Sequence, residues 1–413
     1  MALESTRTIK ELAEECEARG LTVHPTGKNG KYAKEDYIRA LRADYLVERY
    51  GEPDNVPFPL RFMLTMDCPM LCKRYAAIKK QSEQIALWKN DGKYAAEEKI
   101  DGSRSILCWD AERQEFDFYS RHNSVTDFLP ISYKNTIRTF GNFKSETNFV
   151  LDCEIIATNS NTVARKTCTT QLNSTSALLA MNPEESIQIQ ETSPLMFIVF
   201  DCLYDGEDIR SLPWKERHPH AERLAKELSD AGFMCRINPY VLENKRDFYE
   251  NIIRQGGEGI VCKRTDAPYT STTSRTNDMI KIKRTIQCEL LRDLDAWVSG
   301  YTEATKGKAN ENYIGGLCFS VKIRDKDGNI TVREIGRVAG IPQELRVEMT
   351  DYDDNGNPKL KQEYYGRVAT LSGQDISGVN MRITHCTLKE WRPDKGPADC
   401  ETLEMSELEK LIL

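Results

Sequence analysis

Between residues 93 and 284 the chain carries five short runs rich in apolar and β-branched residues: KYAAEEKIDGSRSILCWD, FVLDCEIIA, LMFIVFDCLYDG, GGEGIVCKR and MIKIKR. Such runs read as strands. In FVLDCEII the alternation puts Phe149, Leu151, Cys153 and Ile155 on one face, with Asp152 and Glu154 on the other. Helical stretches fit around 215–230 and 245–255. The fold class this implies is α+β, with mainly antiparallel sheets.

A chain of 413 residues exceeds one ordinary core, so two or three domains are expected. Residues 1–50 predict a helical module: IKELAEECEARGL ends at Gly20 as a C-cap, a Gly/Pro/Asn-rich turn follows, and KEDYIRALRADYLVERYG continues as a second helix. Residues 51–64, with three prolines in EPDNVPFPLRF, are expected as a linker, and 65–288 as the main α+β domain. Residues 289–400 read as strands broken by Gly and Asp-Gly turns. They predict a β-barrel, for which the OB-fold is the natural candidate, followed by a C-terminal tail at 401–413. The Ser/Thr/Asn/Gln-rich stretch 157–194 is a long loop or an inserted element; there is no internal repeat.

Composition limits the setting. Hydrophobic residues make up 39% and charged residues 29%, and no apolar run is long enough to span a bilayer. The charged N-terminus lacks a secretory core, so a cytoplasmic protein without a membrane partner is expected. The 13 cysteines are odd in number and mostly single within apolar runs, as at Cys153, Cys202 and Cys262, which predicts buried free thiols. Cys68 and Cys72 have no second pair or nearby histidine to complete a zinc set. A net charge of −7 argues mildly against a nucleic-acid protein, but such enzymes need only a basic face.

The chemistry concentrates in Lys99-Ile100-Asp101-Gly102-Ser103-Arg104. A lysine is a nucleophile only when neutral, and with a pKa near 10.4 roughly one in a thousand is neutral near neutral pH. It needs positive neighbours or desolvation to be activated. The Asp-Gly turn can aim Lys99 into a pocket, although alone it is as easily a surface hairpin. Around it stand other pointers. Asp152 and Glu154 share a strand face, which suits a metal or a ribose. Glu258 follows two glycines, and Lys281 and Lys283 share a face where they repel unless an anion lies between them.

In this order the segments resemble the nucleotidyltransferase superfamily of ATP-dependent DNA ligases, RNA ligases and mRNA capping enzymes. KIDGSR at 99–104, SRHN at 120–123 with Arg121, LDCEII with Glu154, FIVFDCLYDG with Phe200, EGIVCK at 258–263 and KIK at 281–283 look like its core motifs. Arg275 matches a family arginine, PMLCK at 69–73 resembles the entry to the ligase domain, and Arg392-Pro393-Asp394-Lys395 looks like the C-terminal R-x-D-K motif. The stretch before it, MRITHCTLKEW, departs from the family pattern, which carries a further arginine and proline. The first fifty residues resemble a SAP-type DNA-binding module.

The resemblance covers about residues 65–400 and implies an ATP-grasp-like nucleotidyltransferase domain followed by an OB-fold. It implies ATP as cofactor with Mg²⁺, or Mn²⁺ in its place, and a lysyl-AMP on Lys99. Glu97 and nearby backbone would read adenine, with Phe200 stacked on it. Arg104 and Arg121 would hold ribose or phosphate, and Glu154 and Glu258 would hold ribose and metal. Lys281 and Lys283 would neutralise the α-phosphate and depress the pKa of Lys99. Arg275 would lie on the phosphate path, and Arg392 and Lys395 would clamp pyrophosphate. The expected partner is nicked double-stranded DNA, engaged by a monomer in replication or repair, with a bacteriophage-like layout. An RNA ligase, a GTP-charged capping enzyme and a non-catalytic DNA-binding scaffold are the alternatives.

Overall fold

The computed structural model describes residues 7–27, 30–124, 126–133, 143–158, 175, 178–179, 182–191, 194–255, 257–283, 294–304, 310–373, 381–383, 386–406 and 408. The chain divides into two units, Met1–Arg284 and Thr285–Leu413.

The first unit opens with helices Ile9–Ala18 and Lys34–Tyr50. A capping box starts the first: the Glu11 backbone N–H donates to the Thr8 hydroxyl, and the Thr8 N–H donates to the Glu11 carboxylate. Gly20 ends the turn after it with φ +67°, a conformation that costs glycine little. Leu12, Cys16, Ile38 and Leu41 form a small core that Phe128, from the main body, completes.

The stretch expected as a linker is folded instead. Its residues 58–64 form the helix Phe58–Leu64, which buries Leu60, Phe62 and Met63 against Ile106, Tyr119, Val150 and Leu203. Pro57 and Pro59 sit at the N-cap and first turn, where the missing N–H costs nothing. Prolines that read as a linker are helix starters here.

Among the described residues these strands follow: β1 (Lys73–Arg74), β2 (Tyr94–Glu98), β3 (Ser103–Asp110), β4 (Glu115–Asn123), β5 (Pro130–Ser132), β6 (Phe149–Ala157), β7 (Leu195–Asp205), β8 (Cys235–Ile237), β9 (Tyr240–Val241), β10 (Gly259–Arg264) and β11 (Met279–Lys283). They make two sheets, ordered β1-β11-β10-β2-β9 and β5-β4-β3-β6-β7-β8. Among the described residues of this unit, only β1 with β11 and β7 with β8 pair in parallel. Alternating residues of β3, β6 and β7, among them Leu107, Leu151, Ile155, Phe197 and Val199, pack against Leu224 and Leu228 of the helix Trp214–Asp230. Full burial of each such side chain is worth about 1.5–3 kcal/mol. Because β2 belongs to one sheet and β3 to the other, residues 99–102 carry the chain from sheet to sheet. Within 157–194, Pro183–Gln190 is a helix, and most of the remainder lies outside the described residues.

The second unit holds β12 (Leu294–Glu303), β13 (Ile314–Arg324), β14 (Ile330–Val338), β15 (Thr350–Tyr352), β16 (Pro358–Leu360), β17 (Val368–Ser372), β18 (Thr387–Trp391) and β19 (Thr402–Glu404). The main sheet runs β14-β13-β12-β17-β18 with β19 beside β13. It curls until Gly336 of β14 meets Ile383, just before β18, in a single bridge around one core containing Val298, Phe319, Val321, Ile335 and Leu371. No continuous ladder closes the two edges among the described residues, so the expected barrel is a curled sheet with one closing bridge. The turn at Asp327-Gly328 joins β13 to β14, with Gly328 at φ +85°. Part of the expected tail is structural: β19 pairs with β13, and Leu403 is buried. Three residues are too short a run to announce a strand.

Candidate functional site

The turn after β2 is fixed from two sides. The Lys99 N–H donates to the Gly259 carbonyl at 2.9 Å. Gly102 presses against β6 so closely that a Cβ there would stand 2.2 Å from the Ile155 carbonyl oxygen. Only glycine allows that approach. Across the strands, Val261 lies opposite both Glu97 and Lys281, and Gly259 lies opposite Lys283. This register brings β2, β10 and β11 together beside an open cavity. Cys72, Glu97, Glu98, Lys99, Arg104, Glu154, Phe200, Asn238, Lys263 and Met279 are among its lining residues.

At its mouth the Lys99 ammonium donates to one oxygen of Glu258, and the Lys283 ammonium pairs with the other. Burial disfavours the charged form of Lys99, but Glu258, Glu154 and Asp101 outweigh it and hold its pKa above the ordinary lysine value. This corrects the expectation that Lys281 and Lys283 depress the pKa of Lys99. Lys283 pairs with the carboxylate that also holds Lys99. Lys281 is itself held below its ordinary value by burial, with Lys283, Lys99 and Arg275 adding to the effect. Burial acts against the Glu258 carboxylate, but the two lysines override it and lower its pKa. Burial pushes Glu154 up to about 7 against the pull of Lys99 and Arg104.

Deeper in, Arg104 is spoken for. Its Nε donates to Asp152 at 2.9 Å, Nη1 donates to the Met70 carbonyl at 2.6 Å, and Nη2 reaches both Asp152 and the Tyr269 hydroxyl. Tyr269 in turn donates to Asp152 at 2.6 Å. Of the five guanidinium N–H groups, these contacts leave one for a ligand. Asp152, which shares a strand face with Glu154, is therefore the partner of Arg104 rather than a ribose or metal ligand.

Glu97 is 1% exposed. Its Oε1 lies 2.8 Å from Lys263, and its Oε2 accepts from the Asn238 amide at 3.3 Å. Burial raises its carboxyl to about 7 despite Lys263. Lys263 also donates to the Phe200 carbonyl at 2.6 Å and lies 4.6 Å from the centre of the Phe200 ring. The Phe200 ring is thus one wall of the cavity, with a cation behind it.

Arg121 is exposed on β4 beside His122 and does not line the cavity. Arg275 is exposed and donates to the carbonyl of Cys72, a lining residue. In the second unit, Arg392 and Lys395 share the Asp295 carboxylate at 3.2 and 2.6 Å, and Arg392 also pairs with Asp394 at 2.7 Å. Among the described residues no group of three His, Cys, Asp or Glu side chains gathers as a metal cluster. The described cysteines are free thiols, buried except for the half-buried Cys72. Asn238, Lys263, Tyr269 and Asp295 were missed in the sequence. Lys263 alone had a signal, its place at the end of EGIVCK.

Lys99 thus stands on a turn between two sheets, with carboxylates and cations around it beside an open cavity. A family described as the ATP dependent DNA ligase domain matches residues 69–283, and the chain belongs to it. Among curated proteins, it is 29% identical over 273 residues to a DNA ligase of Nitrosopumilus maritimus, covering 65% of this chain and 42% of that protein. It is 28% identical over 369 residues to a probable DNA ligase of Dictyoglomus turgidum, covering 80% of this chain and 59% of that protein. The chain thus spans about half the length of the curated relatives it matches. A solved structure described as Pmar-Lig_Pre shares the fold at a TM-score of 0.50 and 14% identity, covering 93% of this chain and 84% of that one.

Proposed function

We propose that the protein is an ATP-dependent DNA ligase that seals nicks in duplex DNA during replication or repair. The observation that carries this reading is Lys99, held by Glu258 at the mouth of the cavity in a chain of the ligase-domain family. In the first step the neutral Lys99 amine attacks the α-phosphorus of ATP. A P–N bond forms, the bond to the β-phosphate oxygen breaks, and pyrophosphate leaves with that electron pair. The AMP then passes to a 5′-phosphate at the nick, restoring the lysine. Finally the neighbouring 3′-hydroxyl attacks that phosphate and AMP departs.

Each step gathers charge on phosphate oxygens, so positioned cations supply much of the catalysis. Lys281 and Lys283 face the α-phosphate in this reading, Arg275 lies on its path, and Arg121 receives the nick 5′-phosphate. Phe200 stacks on adenine. Arg392 and Lys395 take the leaving pyrophosphate. Glu154 and Glu258, an all-oxygen pair near the reacting lysine, suit Mg²⁺, which takes a few carboxylates plus waters and phosphates; Mn²⁺ can replace it. When bound, the ion would neutralise phosphate charge.

Mass spectrometry of protein treated with ATP and Mg²⁺ tests the first step: one AMP mapped to Lys99 is expected, and none in Lys99→Ala. An unmodified wild-type protein would sink the reading. Sealing of nicked DNA in preference to nicked RNA is the expected second result.

A further inference from the structure

Asn238 sits between β8 and β9, and its N–H donates to the Val199 carbonyl, next to Phe200, at 2.7 Å. It is 2% exposed and lines the cavity with Lys99 and Phe200. Its amide nitrogen donates to the Glu98 carbonyl at 2.9 Å and to Glu97 at 3.3 Å. The Glu98 carbonyl can only accept, so the amide can stand only one way round. The atom left over is Oδ1, which is buried and takes no hydrogen bond among the described residues. A buried carbonyl oxygen without a donor is unfavourable and points to a missing partner. The neighbouring Glu97 Oε1 likewise takes no hydrogen bond among the described residues, although it stands 2.8 Å from the Lys263 ammonium.

We propose that Asn238 is the residue that selects the nucleobase: its Oδ1 accepts from the exocyclic 6-amine of adenine. Glu97 and the Glu98 carbonyl hold the amide in that orientation. This inference rests on the ATP reading above and names the contact that makes it ATP. Guanine places a carbonyl oxygen where adenine has its amine, so two acceptors would meet without a proton between them. A site built to bond an N–H rejects the analogue that lacks it.

Single-turnover formation of the lysyl-nucleotide, measured with ATP, GTP and purine riboside triphosphate (adenine without its amine), tests the proposal. Wild type should charge with ATP at least about tenfold more efficiently than with purine riboside triphosphate, the size of one lost hydrogen bond. In Asn238→Ala that ratio should collapse toward one, chiefly through the loss with ATP. A purely structural role would lower both nucleotides equally and leave the ratio intact, which overturns the proposal. The wild-type comparison stands even if the variant folds poorly: equal charging by ATP and by purine riboside triphosphate also overturns it. Charging by both nucleotides at equal efficiency leaves the ligase reading standing, whereas no adduct with any nucleotide overturns both.

Discussion

Lys99 and Glu258 form an ion pair at the mouth of the cavity, and Lys283 holds the other oxygen of the same carboxylate. Lys99 is therefore held as an ammonium, with its pKa above the ordinary lysine value. Its neutral fraction at neutral pH is below about one in a thousand. AMP transfer to Lys99, followed in single turnovers, should accelerate with pH, approaching tenfold per unit between about pH 6 and 8. A flat profile would show that deprotonation does not limit the step. The pair also links stability to pH. Glu258, depressed below 4.5, stabilises the fold above its unfolded pKa and loses that contribution as pH falls through its folded pKa. Lys99, raised above 10.5, stabilises it below its unfolded pKa and loses that contribution as pH rises through its folded pKa.

Asp152 is fully buried and joins Arg104 to Tyr269. Asp152→Asn leaves a buried guanidinium without its counter-charge, a change that costs about 3–5 kcal/mol. Urea denaturation should show this loss with an unchanged m-value. A cost under about 1 kcal/mol, the size of an exposed pair, would mean that water reaches the site.

Gly102→Ala should impair catalysis through geometry. A methyl group 2.2 Å from the Ile155 carbonyl oxygen forces the turn away from β6 and carries Lys99 with it. Misplacement by about 1 Å is enough to cost a hundredfold in rate. Charging should fall by that order while far-ultraviolet dichroism still reports both sheets. Wild-type charging in Gly102→Ala would show that the turn adapts.

The sheets were legible because period-two alternation is local: Phe149, Leu151, Cys153 and Ile155 face the core as their spacing requires. Lys99, Glu154, Glu258, Lys281 and Lys283 could be named as candidates because each lies in a short motif. What escaped depends on which distant segments meet. Arg104 stands opposite Glu154 across β3 and β6 yet turns to Asp152, two residues along. Asn238 and Lys263 meet Glu97 from segments more than 140 residues away. Nothing in either segment alone signals the other. The helix at 58–64 was hidden because proline marks both linkers and helix starts.

Phe128 fastens the N-terminal helices to the main body. It is 1% exposed among Leu12, Cys16, Ile38 and Leu41, and it holds φ +59°, a costly conformation for a bulky residue. Phe128→Ala should cost about 3–5 kcal/mol of that packing. The neighbouring Arg49–Asp127 pair is half open to water and cannot compensate. Limited proteolysis should then cut near the helices Ile9–Ala18 and Lys34–Tyr50 much faster than in wild type. Phe128→Gly should restore part of the stability by relieving the backbone without restoring the side chain. Equal stability of the two variants would show that φ carries no strain.

Asp295 makes a testable claim on the second unit. Its carboxylate holds Arg392 and Lys395 and accepts from the Thr370 hydroxyl at 2.7 Å. Burial alone would raise its pKa, but Lys395 and Thr370 lower it, so the acid is ionised at neutral pH. If the two cations take pyrophosphate, they must exchange this carboxylate for phosphate oxygens, and Asp295 opposes that exchange. Arg392→Ala and Lys395→Ala should each slow charging of Lys99 by about tenfold or more, the loss of one charge-assisted contact. Sealing of a nick that already carries AMP releases no pyrophosphate and should be spared in both variants. Asp295→Asn should weaken the hold on both cations and lower the concentration of ATP needed for half-maximal charging. Equal losses in charging and in sealing of the adenylylated nick would place Arg392 and Lys395 in DNA binding or in stability instead.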